Sequence, residues 1–112
     1  MSNILKKRLE EKSKEFAYAK LQMQLAELIE GFGVTMQDHN NEDEFCHHLY
    51  WQVREKAIST LEGGYCLTSY NLTLIQEDCD ELVRQEDITE KEAKTFLRKL
   101  KTLNTKLSNI YK

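Results

Sequence analysis

The residue types best suited to chemistry sit together at Glu44-Phe45-Cys46-His47-His48. Glu44 and His47 have the Glu-x-x-His spacing that puts a carboxylate and an imidazole on one helix face, as in di-iron bundles. Such a centre needs a second motif and further inward-facing glutamates. The other histidines, His39 and His48, provide no second Glu-x-x-His, and Glu44 and His47 project away from the apolar face of their own segment. Neither a metal nor any other cofactor is expected. Cys46 adjoins two imidazoles in the chain, but adjacent helical positions diverge by about 100°, which keeps both from activating the thiol. The sequence contains no glycine-rich phosphate loop, Walker motif or serine elbow. It predicts a protein that is not an enzyme.

Residues suited to binding are better represented. On a helical wheel Lys91, Lys94, Arg98 and Lys101 fall within about 80° of one another, with Lys99 and Lys106 beside them. A cationic ridge of this kind can contact phosphates. It carries no interleaved aromatic to stack on bases and no Asn, Gln or paired Arg placed to read them. Nucleic acid is therefore the alternative partner, and a protein is the first. Trp51 and Ile58 stand one heptad apart, away from the core stripe of their segment, with His47 and Arg54 beside them. Trp and Arg are the types that most often dominate interfaces. A second apolar stripe, Leu5, Leu9, Phe16, Ala19 and Met23, runs along the first segment and is broken by Lys12. These positions suit either a covering helix of the same monomer or a partner, and the first-segment stripe also suits a homodimer.

The elements that must carry these residues are helical. The chain has no proline, and Gly31, Gly33, Gly63, Gly64 and the polar run Gln37-Asp38-His39-Asn40-Asn41 divide it into four segments. Predicted helices span roughly 3–30, 42–62, 70–86 and 90–110. The first stops at Gly31 with Phe32 folding back over its end, and buries Tyr18, Leu21, Leu25, Leu28, Ile29 and Phe32. Asn41-Glu42-Asp43-Glu44 offers a capping box for the second, whose core face holds Phe45, Cys46, Leu49, Tyr50, Val53, Ala57 and Leu61. Leu72, Ile75, Cys79, Leu82 and Val83 share one face of the third, with Ser69, Asn71 or Thr73 as its cap. For the fourth, Thr89 and Glu92 form a capping box, Ile88 staples onto Ala93, and Ala93, Phe96, Leu100, Leu103, Leu107 and Ile110 make the seam.

Charge is sorted along the 112 residues. Residues 1–20 carry six Lys/Arg against three Asp/Glu, residues 89–112 seven against two, and residues 21–88 three against fourteen, for a net −3. An acidic whole opposes nucleic-acid binding by the basic end. Cys46, Cys66 and Cys79 are three and widely spaced, which suits free thiols in a reducing compartment. Met1–Lys7 lacks the apolar core of a signal peptide, and no run of 18 apolar residues occurs, so a cytoplasmic protein without membrane contact is expected. In size and composition the chain is similar to small helical inhibitors and regulators of phages and other bacterial mobile elements. In helix count it is similar to bacteriocin immunity proteins, an analogy of fold that implies no particular activity. The sequence thus predicts an all-α, antiparallel four-helix up-and-down bundle, one domain over residues 1–112. Its predicted role is to bind another protein as an inhibitor or adaptor.

Overall fold

A computed structural model describes residues 2–38, 50–58 and 66–111. Four helices account for nearly all of them, and no strand occurs among the described residues. These are α1 (Ser2–Asp38), α2 (helical over residues 50–58), α3 (Ser69–Arg84) and α4 (Glu90–Ile110). The predicted extents 42–49 and 59–62 of the second helix lie outside the described residues.

At 37 residues α1 is longer than the sequence suggests. It runs through Gly31 and Gly33, and Phe32 continues the helix instead of folding back over its end. The reason is burial: Leu25, Ile29, Phe32 and Met36 recur at helical spacing and all enter the core. Stopping at Gly31 would leave Phe32 and Met36 off that face. An interior glycine costs only about 1 kcal/mol against alanine, less than burying a large side chain returns.

Local chemistry sets the other ends. Thr89 Oγ1 accepts the Glu92 N–H at 3.1 Å while Glu92 Oε1 accepts the Thr89 N–H at 2.8 Å, the capping box the sequence shows. Ile88 and Ala93, the predicted staple, are both buried. For α3 the N-cap is Thr68, which accepts the Asn71 N–H at 3.1 Å; Ser69, Asn71 and Thr73 do not cap it. Leu67 decides this. Its N–H donates to Asn104 Oδ1 at 2.5 Å and its carbonyl accepts from Asn104 Nδ2 at 3.0 Å. Held on both sides by α4, the chain stays extended through Thr68 and turns helical only afterwards. At the other end Glu86 N–H donates to the Val83 carbonyl and Asp87 N–H to the Leu82 carbonyl, a Schellman closure. Its left-handed residue is Glu86 at φ 61°, not a glycine.

The core joins all four helices. Val53 and Ala57 from α2, Ile75, Cys79 and Leu82 from α3, and Ala93, Phe96, Leu100 and Leu107 from α4 pack with the buried face of α1. Phe32 stacks on Phe96 at 4.2 Å between ring centroids, while Tyr18 meets Tyr111 edge-on at 5.6 Å. Residue numbers therefore rise along α1 as they fall along α4, and these two helices run in opposite senses. Lys56 Nζ pairs with Asp78 Oδ2 at 2.6 Å and ties α2 to α3.

Packing on α1 begins only at Tyr18. Every residue from Asn3 to Ala17 is exposed, so about 22 Å of helix extends beyond the core. The molecule is accordingly elongated, 61 × 25 × 22 Å.

Candidate functional site

Trp51 and Arg54 are three residues apart on α2, one turn along the same side of the helix. The Arg54 guanidinium carbon lies 4.8 Å from the Trp51 ring centroid, a cation–π contact that fixes both side chains. Trp51 is 50% exposed and Ile58 40% exposed. Both are too open to be core, so no described helix of the same chain covers them. His47, predicted beside them, lies outside the described residues.

A chain of rings ties this surface to the interior. Trp51 meets Tyr50 at 6.1 Å, Tyr50 meets Phe32 at 6.4 Å, and Phe32 stacks on Phe96. Tyr50 can come this close because Gly33 has no side chain: a Cβ there would stand 3.0 Å from the Tyr50 ring carbon Cζ and its hydroxyl oxygen. Burial pushes the Tyr50 phenol above its ordinary pKa and the Glu30 carboxylate adds to this, with the Arg54 guanidinium opposing both. The ring is thus a neutral hydrogen-bonding group at physiological pH, seated between α1 and α2.

Beside this face α1 and α2 enclose a groove of about 380 Å³. Leu25, Ile29 and Ala57 form an apolar floor, and Ile58, Glu30 and Arg54 line its edge. An apolar floor with opposite charges at the rim can take an aliphatic or aromatic side chain and orient its polar neighbours. A larger groove, about 710 Å³, lies between α1 and α4, floored by Leu28, Phe32, Phe96 and Leu103. Neither groove is visible in the sequence, because each is made by residues distant along the chain.

The second predicted surface is also open. Leu5, Leu9 and Phe16 are 63%, 59% and 78% exposed, and Met23 continues their row. They lie on the side of α1 opposite Leu25, Ile29 and Phe32. The row reaches the α1–α2 groove at its C-terminal end, where Met23 stands between Gln22 and Ala26, both of which line that groove.

On α4 the basic residues Lys91, Lys94, Arg98 and Lys101 are all exposed or at the surface. Lys94 pairs with Glu90 at 3.0 Å. Lys91 and Arg98 reach the rim of the α1–α4 groove, which also holds Glu27 and Glu92. Cys79 is fully buried, and burial, with the Asp78 and Asp80 carboxylates, pushes its thiol up to about 12. A thiol so placed is a packing residue and no nucleophile at neutral pH. Cys66 is partly exposed, and Cys46 lies outside the described residues. Among the described residues no cluster of three His, Cys, Asp or Glu side chains could hold a metal ion, and no helix is long and apolar enough to cross a membrane. The Glu44/His47 pair falls outside them.

Compared with known proteins, the chain matches no family model, no curated protein and no solved structure.

Proposed function

We propose that this chain is a non-catalytic protein-binding module of the cytoplasm. In this reading it is an inhibitor or adaptor of the kind found among phage and mobile-element regulators. The observation that carries the reading is Trp51, half exposed, held under Arg54 and set beside an apolar groove. An aromatic anchor fixed in advance loses little side-chain entropy on binding, and Trp and Arg are among the residue types enriched at the energetic centres of interfaces. Ile58 extends the same face, and the Leu5/Leu9/Phe16 stripe supplies a second contact surface.

Affinity capture from native host lysate, with and without nuclease, tests this. The protein reading expects a nuclease-resistant partner that is lost with Trp51→Ala while helicity by circular dichroism is unchanged. Unfolding of Trp51→Ala would make Trp51 a core residue and sink the assignment. The second reading is a nucleic-acid-associated regulator, and it draws on the surface placement of Lys91, Lys94, Arg98 and Lys101. It expects capture that disappears with nuclease and with Lys94→Glu/Arg98→Glu, and low-salt mobility shifts that fade as salt rises.

A further inference from the structure

We propose that two copies of this chain associate through the exposed stripe of α1, in parallel, as a short two-stranded coiled coil over residues 5–26. The proposal deepens the protein-binding reading by naming the occupant of one of its two surfaces. Leu5, Leu9, Lys12, Phe16, Ala19, Met23 and Ala26 follow one another at alternating spacings of four and three. That is the row of a and d positions of a coiled coil, with Leu5 at d and Leu9 at a. All seven are exposed; from Leu5 to Met23 the row runs along the side of α1 opposite its buried face, and at Ala26 it reaches the edge of the α1–α2 groove. The next a position is Glu30, where two copies would bring like charges together, so the seam ends there.

The arm itself calls for a cover. Fifteen consecutive residues, Asn3 to Ala17, are exposed all round. Isolated helices of this length are marginal in water, because each draws its stability from packing an apolar face. A second copy supplies that face by symmetry, since an isologous contact needs only one self-complementary surface. The area suffices for a weak dimer. Leu5, Leu9, Phe16 and Met23, each more than half exposed, with the Lys12 stem and two alanines, would bury roughly 1,000 Å² over both copies. That is about the lower limit for a specific interface.

Flanking charges choose the orientation. In the parallel arrangement Glu15 of one copy (position g) faces Lys20 of the other (position e), twice per dimer, and Arg8 faces Ser13. No like charges meet at these flanks. Of the two antiparallel registers, the one that pairs Leu9 with Ala19 sets Lys6 against Lys20 and Glu15 against Glu15, and the one that pairs Leu9 with Ala26 sets the Glu30 carboxylate against Leu5 in the seam. Lys12 is the one polar residue in the seam. At a d position of the parallel pair it stands against its own copy, a like-charge contact that weakens the dimer and that Glu15, three residues on, offsets in part.

Sedimentation equilibrium of the full chain across a wide concentration range decides the matter. The expected result is a 13.2 kDa species giving way to one of twice that mass as concentration rises. Leu9→Glu, on a surface position that leaves the core intact, raises the dissociation constant about a hundredfold or more. Lys20→Glu raises it about tenfold, and Glu15→Lys/Lys20→Glu together restore it. Lys12→Leu tightens it. A 13.2 kDa particle at every concentration overturns the proposal. So does a Lys20→Glu chain that dimerises more tightly, because the introduced carboxylate would then be pairing with Lys6 in the antiparallel arrangement. Trp51→Ala leaves the dimer unchanged. A monomer whose partner capture still depends on Trp51 removes the dimer alone, whereas a dimer without Trp51-dependent capture removes the partner-binding reading of the α2 face.

Discussion

Gly31 and Gly33 lie two residues apart inside α1 and should respond oppositely to the same substitution. Alanine is favoured over glycine in a helix interior by about 0.5–1 kcal/mol. At Gly31 a Cβ meets nothing within 4 Å, so Gly31→Ala should raise stability by that full amount. At Gly33 the same Cβ would stand 3.0 Å from Tyr50 Cζ and Oη and 3.2 Å from Cε2. The Tyr50 ring is held between Phe32 and Trp51, so it has little room to withdraw. Overpacking of this kind costs about 1–3 kcal/mol, enough to cancel or reverse the helix gain. Urea unfolding reads both: with a slope of about 1.5 kcal/mol/M, Gly31→Ala moves the midpoint up by about 0.3–0.7 M and Gly33→Ala leaves it level or lowers it. Trp51 emission should change in Gly33→Ala alone, because Tyr50 carries the Trp51 ring. Equal gains at both positions would show that Tyr50 does not sit against Gly33. A loss at Gly31 would refute the continuous helix and restore a terminus there.

Asn104→Ala removes both hydrogen bonds to the buried Leu67 backbone and should cost about 2–3 kcal/mol in urea unfolding; a loss under about 0.5 kcal/mol contradicts the clamp. Glu86→Gly should stabilise by about 0.5–1 kcal/mol, since Glu86 occupies the left-handed region at φ 61° that glycine enters freely, and a destabilised variant would refute this. The Cys79 thiol, raised from 9.0 to about 12, keeps its proton in the folded chain after the unfolded chain has lost its own. Its contribution is therefore complete below pH 9 and is lost as pH rises towards 12, at about 1.4 kcal/mol per pH unit. Denaturation of Cys79→Ala across that window should show a shallower pH slope than the parent chain, and parallel slopes would contradict the burial.

What the sequence made legible was local or periodic. The α4 capping box lies within four residues, and the seam behind it repeats for over two heptads, so both could be read directly. The two faces of α1 were equally plain, because 3.6-residue periodicity separates Leu25 and Ile29 from Leu9 and Phe16 without reference to any neighbour. Failures arose where a distant residue decides. Gly31 resembles a stop signal until Phe32 and Met36 are seen to continue the buried row. Thr68 prevails over Ser69 as the cap because Asn104, 37 residues from Leu67, holds the preceding residue extended. The end of α3, expected near residue 86 and found at Arg84, was legible to within two residues although Glu86 and not a glycine takes the left-handed place. Periodicity singled out Trp51 and Ile58 as surplus to the core face. Their exposure and the groove beside them depend on how α1 and α2 meet, which no single segment encodes.

Trp51 is the only tryptophan in the chain, so a probe on its indole reads the proposed binding face and nothing else. The most direct test is fluorine NMR of chain labelled with fluorotryptophan, titrated with the nuclease-treated fraction captured from native host lysate. A single resonance of a half-exposed indole should shift or broaden as partner is added, and the effect should vanish with Arg54→Ala/Ile58→Ala while helicity is retained. An unmoved resonance, in the presence of a partner that the chain demonstrably retains, would place recognition elsewhere and contradict the account.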